Sequence, residues 1–83
     1  MRHFWLRCRH DDRRWTVSFH AKDDHDAIVV AEAKMRKLAN YLVDGLSEFE
    51  YRQAWDWAHG RIELINEVGV IIKEMEAKDV ADS

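Results

Sequence analysis

Residues 3–20, HFWLRCRHDDRRWTVSFH, decide the fold of this chain. Apolar residues occupy every second position on both sides of the segment HDDR at 10–13, which is the pattern of half-buried β-strands. A four-residue loop over 10–13 places an even-numbered residue opposite an odd-numbered one, so both apolar sets share one face. The sequence therefore predicts a β-hairpin over residues 2–20. Its inward pairs are Phe4 with Phe19, Leu6 with Val17 and Cys8 with Trp15.

The opposite face of the predicted hairpin is polar and basic. It pairs His3 with His20, Trp5 with Ser18, Arg7 with Thr16 and Arg9 with Arg14, with Arg2 and Arg13 at either end. Guanidinium groups bind phosphates and carboxylates, and an exposed indole stacks on bases or fills a pocket of a protein partner. We therefore take four residues of this face as candidate partner-binding residues: Trp5, Arg7, Arg9 and Arg14.

The segment after the hairpin predicts a long amphipathic helix over residues 24–43. Asp23 or Asp24 is suited to cap its first turn, and Gly45 is suited to end it. One apolar stripe with helical spacing runs along it. The stripe consists of Ile28, Ala31, Met35, Leu38 and Leu42.

Residues 48–57, EFEYRQAWDW, fit both a strand and a helix. Ser47 and Glu50 form a capping box, and Gly60 is placed to end a helix, so we predict a short helix over 48–58. Tyr51 and Trp55 share the helix face that we expect to meet the core. Phe49 and Trp57 then point away from that face, and we add this pair to the candidate partner-binding residues.

Residues 61–76 predict a second hairpin with its turn over 66–69. Gly69 and the β-branched run VGVII weigh against a helix there. The tail, 77–83, is expected to fray. The predicted fold is thus one α+β domain of order β-β-α-α-β-β: a small antiparallel sheet built from two β-hairpins, with one long and one short helix packed on one face.

Composition narrows the class of protein. Apolar residues make up 47% of the 83 residues and charged ones 35%, which is typical of a globular domain. A single cysteine and the lack of a long apolar run lead us to expect a cytoplasmic location without membrane contact. Residues 1–22 carry a net charge of +4 and residues 23–83 a net charge of −7. Either the two parts attract each other in the fold, or the protein has two electrostatically different faces.

The sequence offers few residues suited to binding a metal ion or to catalysis. His20, Asp23, Asp24 and His25 lie close together, and His3 is predicted opposite His20, yet a set of four ligands cannot be assembled. We therefore expect no metal site and no cofactor. The sequence contains no nucleophile elbow and no phosphate loop, so we expect no catalytic residues and no enzymatic activity.

Two stretches resemble a known class of protein. The run WTVSFHAKDDHDAIVVAEA at 15–33 resembles the strand, Ala-x-Asp and Ala-rich helix of small phage and prophage accessory proteins, and GRIELINEVGVIIKE at 60–74 is similar to their terminal hairpins. Small size, acidity and abundant aromatics are similar to those of anti-CRISPR and other anti-defence proteins. The resemblance implies an inhibitor that binds a host protein, or a protein–nucleic acid complex, in stoichiometric amounts.

Two other uses of these surfaces stay open. The arginine-rich hairpin face is suited to nucleic acid, although the sequence pI of about 5.9 is low for that class. The exposed aromatic residues are equally suited to a homodimer.

Overall fold

The computed structural model describes residues 1–77, which form four strands and two helices. The strands are β1 (Arg2–His10), β2 (Arg13–Ala21), β3 (Arg61–Ile65) and β4 (Ile71–Met75), and the helices are α1 (Asp24–Leu38) and α2 (Glu48–His59). Their order, β-β-α-α-β-β, and the single antiparallel sheet confirm the predicted α+β fold. The fraying predicted for 77–83 falls, from residue 78 onward, outside the described residues.

The first hairpin has the register that the alternation of its side chains predicts. All three predicted inward pairs are present, and Arg9 lies opposite Arg14 on the other face. The strand order is β2-β1-β3-β4, so β1 is paired on both sides. Along its second edge β1 places Arg7 opposite Glu63 and Arg9 opposite Arg61. The C-terminal hairpin is thus added beside the N-terminal strand, far from it in sequence.

The hydrophobic core lies on the face of the sheet that carries the even-numbered residues of β1. Both helices pack there, because each needs an apolar surface on which to bury its own apolar side. We call this the inner face, and the opposite face the outer face. The core residues that are fully buried are Phe4, Leu6, Cys8, Ala21, Ala27, Ala31, Met35, Trp57, Ile62 and Leu64.

Helix α1 ends at Leu38, so the prediction that it extends to residue 43 is wrong. Its buried positions end with Met35, and Leu42, predicted to continue the stripe, is 81% exposed. The physical reason is that Tyr41 leaves the helix direction and packs on rings of α2 instead. Gly45, with φ of 85°, therefore lies in the connection between the helices and does not cap α1.

The second hairpin turns where predicted. Asn66 organises the turn, because its side-chain oxygen accepts from the backbone N–H groups of Val68 and Val70. Gly69 has φ of 87°, a conformation that side chains disfavour, and its N–H donates to the Asn66 carbonyl. The strands stop at Met75, and the pairing is irregular beside Leu64 and Ile65. Within residues 1–77, neither helix has the length and apolar character needed to cross a membrane.

Candidate functional site

Helix α2 begins at the predicted capping box. The side of the helix that faces the core is not the predicted one. The Ser47 hydroxyl accepts from the Glu50 N–H, and the Glu50 carboxylate accepts from the Ser47 N–H. Trp57 is fully buried, so the prediction that it points outward is wrong. Tyr51 and Trp55, predicted to be core residues, are 47% and 36% exposed.

Asp56 explains the orientation of α2. Its carboxylate is fully buried and accepts two hydrogen bonds from Arg13, from Nε and Nη2, at 2.7 Å each. Trp15 Nε1 donates to it at 2.8 Å, and His10 Nδ1 lies 3.3 Å away. The Arg13 hydrogen bonds, more than any other contact, hold the pKa of Asp56 below its usual range, against the opposing effect of burial. Asp56 must face the hairpin to keep these partners. Its neighbour Trp57 is then also directed toward the core.

The end of α2 approaches β1 closely. The Asp56 carbonyl accepts from the Gly60 N–H at 2.6 Å and from the Cys8 thiol at 3.2 Å. A Cβ atom on Gly60 would lie 2.6 Å from the Arg9 carbonyl oxygen, so only glycine fits between helix and strand. Burial raises the pKa of Cys8 to about 12, so this thiol is protonated at neutral pH and is not poised as a nucleophile.

With Trp57 inside, the outward side of α2 carries a cluster of rings. We define the aromatic surface as Tyr41, Tyr51, Trp55 and His59. Trp55 stacks on His59 with centroids 3.9 Å apart and meets Tyr41 edge-on at 5.0 Å. Tyr51 also meets Tyr41 edge-on, at 6.0 Å. The rings therefore hold one another in place while remaining open to solvent on one side.

Exposed apolar residues and an open cavity lie next to the aromatic surface. Exposed Leu42 and Val43 follow Tyr41 in the helix connection. Beside it lies an open cavity of about 400 Å³, lined by Glu48, Tyr51, Arg52 and Trp55. Phe49, a predicted partner-binding residue, is 62% exposed, and its ring makes a T-shaped contact with Trp15, with centroids 5.4 Å apart.

Trp5, Arg7, Arg9 and Arg14 lie together on the outer face of the sheet, as the hairpin parity predicts. The Trp5 ring is partly buried and stacks on His3, with centroids 4.4 Å apart and planes 14° apart. His3 in turn contacts His20 across the strands at 4.7 Å. One side of the indole is therefore already covered.

The basic N-terminal hairpin pairs with acidic residues from the rest of the chain. Arg7 Nε and Arg9 Nε approach the same oxygen, Oε1 of Glu63, at 3.0 and 3.4 Å. Arg2, predicted at the end of the basic face, binds Glu67 at 2.6 Å and Asp24 at 3.2 Å. The Arg13 side chain, predicted at the other end, turns toward α2 instead. Attraction between the two oppositely charged parts of the chain is thus realised in the fold.

Sequence reasoning missed Asp56, Tyr41 and His59. A signal for part of this surface was available, because Tyr51, Trp55 and His59 recur every four residues and so form one ridge on a helix. Nothing in the sequence distinguishes a buried aspartate such as Asp56 from a solvated one. Among the described residues, 1–77, no group of three or more His, Cys, Asp or Glu side chains is arranged to hold a metal ion.

Comparisons with protein-family models, with curated proteins and with solved structures return no match for this chain. Its surfaces are therefore interpreted from their geometry and chemistry.

Proposed function

We propose that this chain is a non-enzymatic binding protein that inhibits another protein by stoichiometric contact through its aromatic surface. The observation that carries the proposal is the ring cluster of Tyr41, Tyr51, Trp55 and His59 on the solvent side of α2. Trp and Tyr dominate the energetics of protein interfaces because they bury a large area with few rotatable bonds.

The geometry favours binding in two further ways. Contacts between Tyr41 and the α2 rings restrict the side chains before any partner arrives, which lowers the entropy lost on association. Around the rings, Arg52 pairs with Glu48 at 3.4 Å and supplies a polar rim. An apolar centre with a charged border is the usual anatomy of a protein–protein interface.

The class of target follows from the resemblance to phage accessory proteins. We propose that the chain is a phage-type inhibitor, present in the bacterial cytoplasm, that covers a functional surface of a defence protein of the CRISPR–Cas type or of a regulatory protein. Phe49 and the outer-face residues Trp5, Arg7, Arg9 and Arg14 remain candidates for additional contacts.

Nucleic-acid binding by the outer face has weaker support. Arg7 and Arg9 already share the Glu63 carboxylate. His3 occupies one side of the Trp5 ring on which a base would stack.

A pull-down from bacterial lysate tests the proposal. Tagged wild-type protein is compared with a Tyr51→Ala/Trp55→Ala variant and with a Val29→Ala/Val68→Ala control, whose side chains are exposed elsewhere. Each sample is treated with and without nuclease. We expect one protein, retained in stoichiometric amount after nuclease treatment, that is lost with the first variant and kept with the control. Equal capture by all three chains, or retention of nucleic acid alone, would overturn the proposal.

A further inference from the structure

A row of arginines crosses the outer face of the sheet. Arg14 on β2 lies opposite Arg9 on β1, and Arg9 lies opposite Arg61 on β3. The three residues occupy adjacent strands, so the row spans about 10 Å at the usual strand spacing. The sequence alone places Arg9 opposite Arg14, but Arg61 joins them only through the pairing of β1 with β3. We call these three residues the arginine row.

The protein itself neutralises the arginine row only in part. Glu63, two residues along β3 from Arg61, accepts a hydrogen bond from Nε of Arg7 and lies 3.4 Å from Nε of Arg9. Among residues 1–77, Arg14 and Arg61 have no ion-pair partner, and both are exposed. A guanidinium has five N–H donors, so the row presents most of its donors to solvent.

Such a row is unfavourable for folding. Like charges directly opposite each other in a sheet repel, and Arg9 has such a neighbour on both sides. Replacing Arg14 and Arg61 by neutral residues should therefore not lower stability. Residues that contribute no stability, while presenting unused donors on a surface without helices, are suited to binding an anion.

We propose that the arginine row binds an acidic peptide segment of a partner protein. Arginines of this face already bind a carboxylate within the protein, because the Glu63 carboxylate lies between two arginine side chains there. A glutamate or aspartate of a partner can be bound in the same way. Charge complementarity selects an anion, and the His3 ring against Trp5 leaves little for an unpaired base to stack on. The inference goes beyond the proposed function, since it uses the opposite side of the molecule from α2 and needs none of its rings.

Fluorescence anisotropy with purified protein tests this site. The probe is a short fluorescein-labelled oligoglutamate, and a labelled oligothymidine of equal length serves as the competing class. The test variant is Arg14→Gln/Arg61→Gln. The matched control is Arg36→Gln/Lys37→Gln, which removes the same charge from the exposed last turn of α1.

At low salt the wild-type protein is expected to bind oligoglutamate. Loss of two charge-assisted contacts should weaken binding about tenfold or more in the test variant, whereas the control should bind as the wild type does. The melting temperature of the test variant should stay equal or rise. The proposal is overturned if wild-type protein does not bind oligoglutamate, if both variants weaken binding equally, or if oligothymidine binds more tightly.

Discussion

The Arg13 guanidinium makes a bidentate ion pair with the buried Asp56 carboxylate, through two hydrogen bonds of 2.7 Å each. This pair joins the start of β2 to the last turns of α2, 43 residues later in the chain. It fixes which side of α2 meets the sheet. The buried tryptophan and the exposed aromatic surface both follow from it.

Replacing Arg13 should therefore lower the stability of the folded protein. Arg13→Met leaves the Asp56 carboxylate buried without its main cation, and we expect a clear loss in the free energy of unfolding. The matched control is Arg14→Met, one residue later and on the outer face, which should change stability by less than about 0.5 kcal/mol. Urea unfolding followed by circular dichroism measures both. Equal effects of the two substitutions would show that the ion pair does not hold α2.

The ion pair between Arg13 and Asp56 should also make the free energy of unfolding depend on pH. The pKa of Asp56 is lowered in the folded protein, so its contribution to stability is present above the unfolded value of about 3.9 and is lost as pH falls below that value. Asp56→Asn removes this contribution at every pH. The stability gap between wild type and variant should be wide at pH 7 and should narrow as pH falls below about 4. A gap that stays constant in acid would contradict the assignment.

Trp55 and Trp57 provide a second matched comparison. Trp57 is fully buried, so Trp57→Ala should cost about 3–5 kcal/mol through cavity formation. Trp55 is on the surface, and Trp55→Ala should cost about 1 kcal/mol or less. Thermal or urea unfolding of the two variants decides between this orientation of α2 and the one that the sequence alone suggests. The reverse order of effects would show that the helix is rotated.

The buried thiol of Cys8 reports on unfolding. Because its pKa is raised to about 12 and its side chain is fully buried, Cys8 should react with a thiol reagent at pH 8 only in denaturant. A folded-state labelling rate similar to that in guanidinium chloride would mean that α2 opens readily from β1. The labelling rate in mild denaturant should follow the global stability of the variants above.

Local patterns predicted the strands well, for physical reasons. The period-two alternation of β1 and β2 leaves one register in which both apolar sets are buried, and that register is present. The capping box of α2 is equally local, and the structure contains it. The turn at Asn66 and Gly69 depends on the chemistry of those two residues alone.

The orientation of α2 was not predictable in this way. Tyr51 and Trp55 are more apolar as a pair than Asp56 and Trp57, so a burial argument chooses the wrong side of the helix. The deciding interaction is with Arg13, which is distant in sequence and which the sequence places at one end of the basic hairpin face. Likewise, the end of α1 depends on Tyr41 meeting rings of α2, a contact that no periodicity encodes.

The most direct test of the central claim is titration calorimetry with the purified protein captured from lysate. The wild-type chain should bind it with a stoichiometry near one. Tyr51→Ala/Trp55→Ala should weaken the affinity by about 30-fold or more, while its circular dichroism spectrum stays unchanged, because two exposed rings at the interface centre carry about 2 kcal/mol or more. Unchanged affinity in this folded variant would contradict the claim that the aromatic surface is the binding site.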